Sequence, residues 1–203
     1  MLRRVASQVS LRSRERKLRL FLDLLAPGPE TTVVDVGVTD APFGAGSSDN
    51  FFEAMYPWPD RITAVGNTEL DRFTAAFPRI QAVRADGREL PFGDGAFDLG
   101  FSNAVIEHVA GGRHGQRRFL GELCRVARRV FVTTPNRLFP VDPHSLLPVV
   151  HWLPDGEVRR RLLRARGFDD VLDPLGPGEL AALFPYPVRI VGRGMTLVAV
   201  GPA

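Results

Sequence analysis

All four histidines of this 203-residue chain fall between positions 108 and 151. Imidazole is the side chain that takes up and releases protons near neutral pH. The stretch holding His108, His114, His144 and His151 is therefore where acid–base chemistry would sit. His144, in "FPVDPHSLLP", is the strongest candidate base. Prolines stiffen its loop, and Asp142, two residues earlier, could orient the ring and raise its basicity. Asp142 and Ser145 could equally serve as cap or turn residues. His108 lies in "AVIEHV", just after Ser102 and Asn103, where it could act, cap or pack. His114 in "GGRHGQ" reads as exposed and His151 in "VVHWLP" as structural. "TTPNRLFP" adds Asn136 and Arg137 as acceptor-binding candidates. The Arg137 guanidinium could hold a carboxylate or phosphate, or pair with Asp142.

These residues need elements to position them. Five short apolar runs recur along the chain: the β-branched "TTVVDVG", "RITAVGN" at 61–67, "RIQAVRAD" at 79–86, "AFDLGFSN" at 96–103 and "RRVFVTTPN" at 128–136. Helical stretches at 49–56, 69–77, 104–109 and 116–128 separate them. Strand–helix alternation of this kind predicts a parallel sheet with helices on both faces. Right-handed crossovers make it a Rossmann-like, doubly wound α/β fold. "PVRIVGRGMTLVAVGPA" predicts an antiparallel hairpin that completes seven strands. Residues 11–26 have the spacing of an amphipathic helix ended by "APGP", and its basic face is expected in solvent. The whole is expected to be one domain over 1–203, with an N-terminal helix within 1–28. A proline-rich insertion over 137–185, with two or three helical pieces, is expected on the acceptor side.

In an open parallel sheet, ligands bind beyond the carboxyl ends of the strands. Those ends carry Asp35-Val36-Gly37, Gly66-Asn67, Asp86-Gly87, Ser102-Asn103 and Pro135-Asn136-Arg137. Each alone is ordinary turn chemistry; five in register point to a ligand crevice.

The composition is compatible with this and excludes little else. Hydrophobic residues make up 44%, enough for a core, and the net charge of +3 is too mild to imply a nucleic-acid partner. Cys124 is the single cysteine, on a helix stripe, so no disulfide framework is expected. No secretory signal and no transmembrane run is legible, which makes a cytoplasmic location the expectation. Lys17 is the only lysine.

The segments "VVDVG", "RADGRELPFGDGAFDLGFSNAVIEHV" and "ELCRVARRVFVTTPN", followed by a terminal hairpin, resemble class I S-adenosylmethionine-dependent methyltransferases of the type 11, small-molecule branch. The "D-G-x-x-L-P-F-x-D-x-x-F-D" segment is the most specific part. The resemblance implies S-adenosyl-L-methionine as cofactor. It implies Asp35 and Gly37 at the methionine portion, and Asn67 at the ribose. Asp86 would accept from the adenine amino group with Gly87 beside it, and Asn103 would lie near the transferred methyl. Two positions depart from the pattern. The glycine-rich loop is "DVGVTDAPFGAGSSDNFFE", with Val38 and Asp40 where small residues are usual. Asn67 is neutral where a carboxylate is usual, and Asp40 or Glu69 could compensate. The resulting expectation is methyl transfer to a small molecule, with O- or N-transfer favoured. Two rivals stand beside it: a non-catalytic methyltransferase-like binding protein and a dinucleotide-binding oxidoreductase. The latter is disfavoured because no "G-x-G-x-x-G" follows the first strand.

Overall fold

The computed structural model describes residues 2–41, 43, 49–141, 149–153, 156–165 and 173–203. Its centre is a seven-stranded sheet: β1 (Val33–Val36), β2 (Ile62–Gly66), β3 (Gln81–Arg84), β4 (Phe97–Asn103), β5 (Ala127–Pro135), β6 (Arg189–Arg193) and β7 (Thr196–Gly201). The order across the sheet is β3-β2-β1-β4-β5-β7-β6. The first five strands pair in parallel, and β7 inserts antiparallel between β5 and β6. The sheet therefore has the parallel half and closing hairpin that the sequence pattern predicts.

Helices cover both faces. α1 (Leu2–Leu25), α2 (Phe51–Met55) and α3 (Asp71–Ala76) lie on one side, and α4 (Gly112–Val126) and α6 (Pro177–Leu183) on the other. α5 (Glu157–Arg164) packs on a 3-10 turn at Val150–Trp152. Side chains alternate across a strand, so the sheet feeds two cores. Val33, Leu99, Phe101 and Phe131 point to the α1 side, while Val34, Val36, Val130 and Val132 point to the α4 side. On the α1 side, fully buried Phe21 meets Phe52, Tyr56, Phe101 and Phe131 edge-on, at ring separations of 5.1, 6.1, 5.6 and 5.5 Å. This packing makes α1 part of the core rather than an appended surface helix. The helix starts at Leu2, inside the expected 1–28 and ahead of the amphipathic spacing over 11–26, because no breaker interrupts the intervening turns.

Of the stretch 137–185, α6 packs on the α4 side of the sheet. Leu180 and Leu183 bury it against the second core, and the Glu179 carboxylate caps its N-terminus at Gly176 N, 2.7 Å away.

Candidate active site

A cleft of about 680 Å³ opens at the carboxyl edge of the parallel strands. Backbone and side-chain bonds tie its floor together. Gly37 N and Val38 N donate to Val65 O, Ala85 N donates to Gly66 O, and Ser102 Oγ donates to Val36 O at 2.8 Å. The ends of β1 to β4 are thereby held as one rim. Gly37, Asn67, Asp86, Gly87, Asn103 and His108 all line the cleft. Five strand-end positions chosen from the sequence thus converge with one histidine on a single cavity.

The glycines are there for close approach. Gly37 has φ +116°, and a Cβ there would stand 2.1 Å from Val105 Cγ2. A Cβ at Gly87 would meet the Phe119 ring at 2.5 Å. In the loop after β1, one amide ties residues 39–41 to residue 50. Asn50 Nδ2 donates to Thr39 O and Ala41 O, while its Oδ1 accepts from Thr39 N at 3.1 Å.

Asp86 is half-exposed, and Arg88 engages it through N, Nε and Nη2 at 2.8, 3.0 and 2.6 Å. These bonds hold its carboxyl below the ordinary value, so it is an anionic acceptor at neutral pH. Neither residue considered as a substitute for a ribose-binding acid reaches the cleft. Asp40 Oδ1 caps α3 through Arg72 N and Phe73 N at 2.7 and 3.0 Å, and Glu69 pairs with Arg84.

Several expected site residues are elsewhere. Asp35 does not line the cleft. It alternates to the α1 side with Val33 and lies buried against Glu53 of α2. Burial first, then Glu53, pushes its carboxyl well above the ordinary 3.8; burial also raises Glu53. Two carboxyls buried against each other disfavour a second negative charge, which favours a proton shared between them. Asn136 is buried and structural: Nδ2 donates to Gly194 O at 2.9 Å and Oδ1 accepts from Leu138 N at 3.0 Å. Arg137 pairs with Glu179 at 3.0 Å, outside the cleft. Both hold the start of the insertion against the hairpin and α6 rather than facing the cavity. His144 and Asp142 lie outside the described residues. His114 is exposed on α4.

The structure also brings in residues that strand-end reasoning missed. Arg14 of α1 lines the cleft, with its Cζ 5.8 Å from the centre of the Phe51 ring. Burial lowers its pKa and Asp49, another lining residue, raises it. Lys17 sends its Nζ to Asn103 Oδ1 at 2.9 Å. Desolvation, helped by Arg14 and opposed by Glu107, brings its pKa down to about 8. The expected solvent-facing basic side of α1 is thus partly turned inward, because a long aliphatic stem lets a cation beside an apolar stripe reach under it. The lone lysine among arginines was the one signal in the sequence.

Comparison with known proteins agrees with this layout. Residues 42–130 match the family model for a methyltransferase domain. Among curated proteins no sequence relative matches. A Pyrococcus horikoshii protein superposes with a TM-score of 0.62 at 18% identity, over 94% of this chain and 89% of that one. An S-adenosylmethionine-dependent methyltransferase from Mesorhizobium loti gives 0.57 at 16%, over 84% and 90%. The 1,6-didemethyltoxoflavin-N1-methyltransferase of Burkholderia thailandensis gives 0.57 at 16%, over 92% and 76%. The family match covers residues 42–130, and the likeness to these solved structures extends to the fold of the chain as a whole. The matched segment is thus similar to a methyltransferase domain of type 11. No helix among the described residues is long and apolar enough to cross a membrane.

Proposed function

We propose that the chain methylates a small-molecule acceptor, by O- or N-transfer, with S-adenosylmethionine in the cleft. The observation that carries this is the convergence of Asp86–Gly87, Asn67, Gly37, Asn103 and His108 on one cavity. The residues fit the cofactor. Gly37 and Gly87 leave bare backbone where a side chain would collide, and Asp86 is an ionised acceptor at the end proposed for adenine. Asn67 would bond the ribose hydroxyls, less strongly than a carboxylate. When bound, S-adenosylmethionine supplies an electrophilic methyl group on sulfur. What remains for the protein is to align the acceptor, exclude water and, where the acceptor carries a proton, remove it.

His108 is the described imidazole on the cleft wall and is proposed as a base; His144, with Asp142, is the second candidate. A small acceptor is consistent with the cavity volume. The Burkholderia neighbour, described with bound 1,6-didemethyltoxoflavin and S-adenosylhomocysteine, supports the same reading. Titration calorimetry with S-adenosylmethionine and S-adenosylhomocysteine should give binding, and nicotinamide dinucleotides should give none. Absence of heat with both sulfur ligands at millimolar concentration would leave the non-catalytic binding reading. Arg88's triple hold on Asp86 favours that alternative, since adenine must share an acceptor already engaged.

A further inference from the structure

Lys17 and Thr133 converge on one oxygen. Asn103 Oδ1 accepts from Lys17 Nζ at 2.9 Å and from Thr133 Oγ1 at 2.8 Å. An ammonium has no lone pair to offer. The amide atom facing Lys17 must therefore be the oxygen, and the amide cannot flip without setting N–H against N–H. Asn103 lines the cleft, and no described residue accepts a hydrogen bond from its Nδ2. The alternation of β4 explains the arrangement. Asn103 is two residues beyond Phe101 and points to the same α1-covered face. Three residues before Lys17 on the same side of α1, Arg14 lines the cleft and is close enough to Lys17 to disfavour its charge. The other charged group acting on Lys17 is Glu107, in the turn after β4, which accepts from Thr134 Oγ1 at 3.0 Å.

We propose that Lys17 is a positioning residue: with Thr133 it locks the Asn103 amide so that its two N–H donors face the cleft. Together with Arg14 they form a subsite for the carboxylate of the cofactor's amino-acid end. This rests on the reading of the cleft as the S-adenosylmethionine site. The amino-acid end offers an anionic acceptor, the carboxylate, and a cationic donor, the ammonium. Donors at Asn103 and a guanidinium at Arg14 match the first. A compact ammonium suits the buried end of the relay, whereas a guanidinium would need room for five donors in a planar fork. That is a physical reason for a lysine here in a chain whose other 25 basic residues, of 26, are arginine.

The test compares two ligands at neutral pH: S-adenosylhomocysteine, and 5′-methylthioadenosine, which has the same nucleoside and thioether but no amino-acid group. Lys17→Met removes the lock and keeps the stem. Asn103→Asp keeps an ion pair with Lys17 but places a carboxylate oxygen where the N–H pair was. Each variant should bind S-adenosylhomocysteine roughly ten- to hundredfold more weakly, the range expected for losing a hydrogen bond to a charged group. Affinity for 5′-methylthioadenosine should be unchanged in both. Equal weakening for the two ligands, or unchanged S-adenosylhomocysteine affinity in the folded variants, would overturn the assignment. Asn103→Asp decides the matter if Lys17→Met does not fold. Wild-type protein that binds both ligands equally would overturn the subsite alone. Wild-type protein that binds neither would overturn the cofactor reading, and the subsite with it.

Discussion

Replacing both buried carboxyls beneath the cleft, Asp35→Asn with Glu53→Gln, should make the protein more stable as pH rises. In the folded chain a proton is held between them, because burial raises both carboxyls from their ordinary 3.8 and 4.5 and the charge of Glu53 raises Asp35 further. In the unfolded chain both are ionised above about pH 5. Folding then takes up one proton. Stability from the pair is fully present below the unfolded values and is lost as pH rises towards the folded one. The slope is about 1.4 kcal/mol per pH unit for each proton held. An amide pair keeps a hydrogen bond and has no proton to surrender. As pH rises from 5 towards the folded value, the difference between variant and wild type should therefore grow in favour of the variant, and then level off. Urea unfolding at pH 5, 6 and 7 measures this, and taking the difference cancels every group the two proteins share. Parallel stability–pH curves would refute the shared proton and show that the two carboxyls ionise independently.

Asp86→Ala should weaken S-adenosylmethionine binding by about ten- to hundredfold in a folded protein, and Asn67→Asp should hold or strengthen it; calorimetry reads both. Once an acceptor is known, removing the working base should lower turnover by roughly 10²–10⁴-fold with little change in cofactor affinity. His108→Ala and His144→Ala, compared at saturating cofactor, decide which histidine that is. Phe21→Ala should cost about 3–5 kcal/mol of unfolding free energy, measurable by denaturant titration, because the ring is fully buried among four others.

The strands were legible because buried parallel strands write themselves as short β-branched runs, and their polar stops mark the rim of the cleft. The direction in which a strand-end acid points was not legible. Asp35 sits near the end of β1 as Asp86 does after β3, yet pleat parity turns it away from the cleft, where a glutamate eighteen positions later meets it. Asn136 and Arg137 sit at a strand end too, but what they touch, Gly194 and Glu179, is set by how the hairpin and α6 fold back. Lys17 was hidden for a different reason. A cation flanking an apolar helical stripe has the same local pattern whether its head reaches water or a buried amide, and only the 86-residue separation from Asn103, closed by the fold, decides.

The placement of α1 has a consequence for synthesis. α1 leaves the ribosome before the strands it packs against, since Phe101 and Phe131 lie far downstream. The bond from Arg129 to Leu24 O spans 105 residues. Until β4 and β5 have been translated, Leu18, Phe21 and Leu25 form an apolar stripe with nothing to cover it. Contacts this distant in sequence form slowly and leave such surface open to association. Until then the uncovered stripe is flanked by Arg14, Arg16, Lys17 and Arg19, whose like charges oppose the approach of another copy.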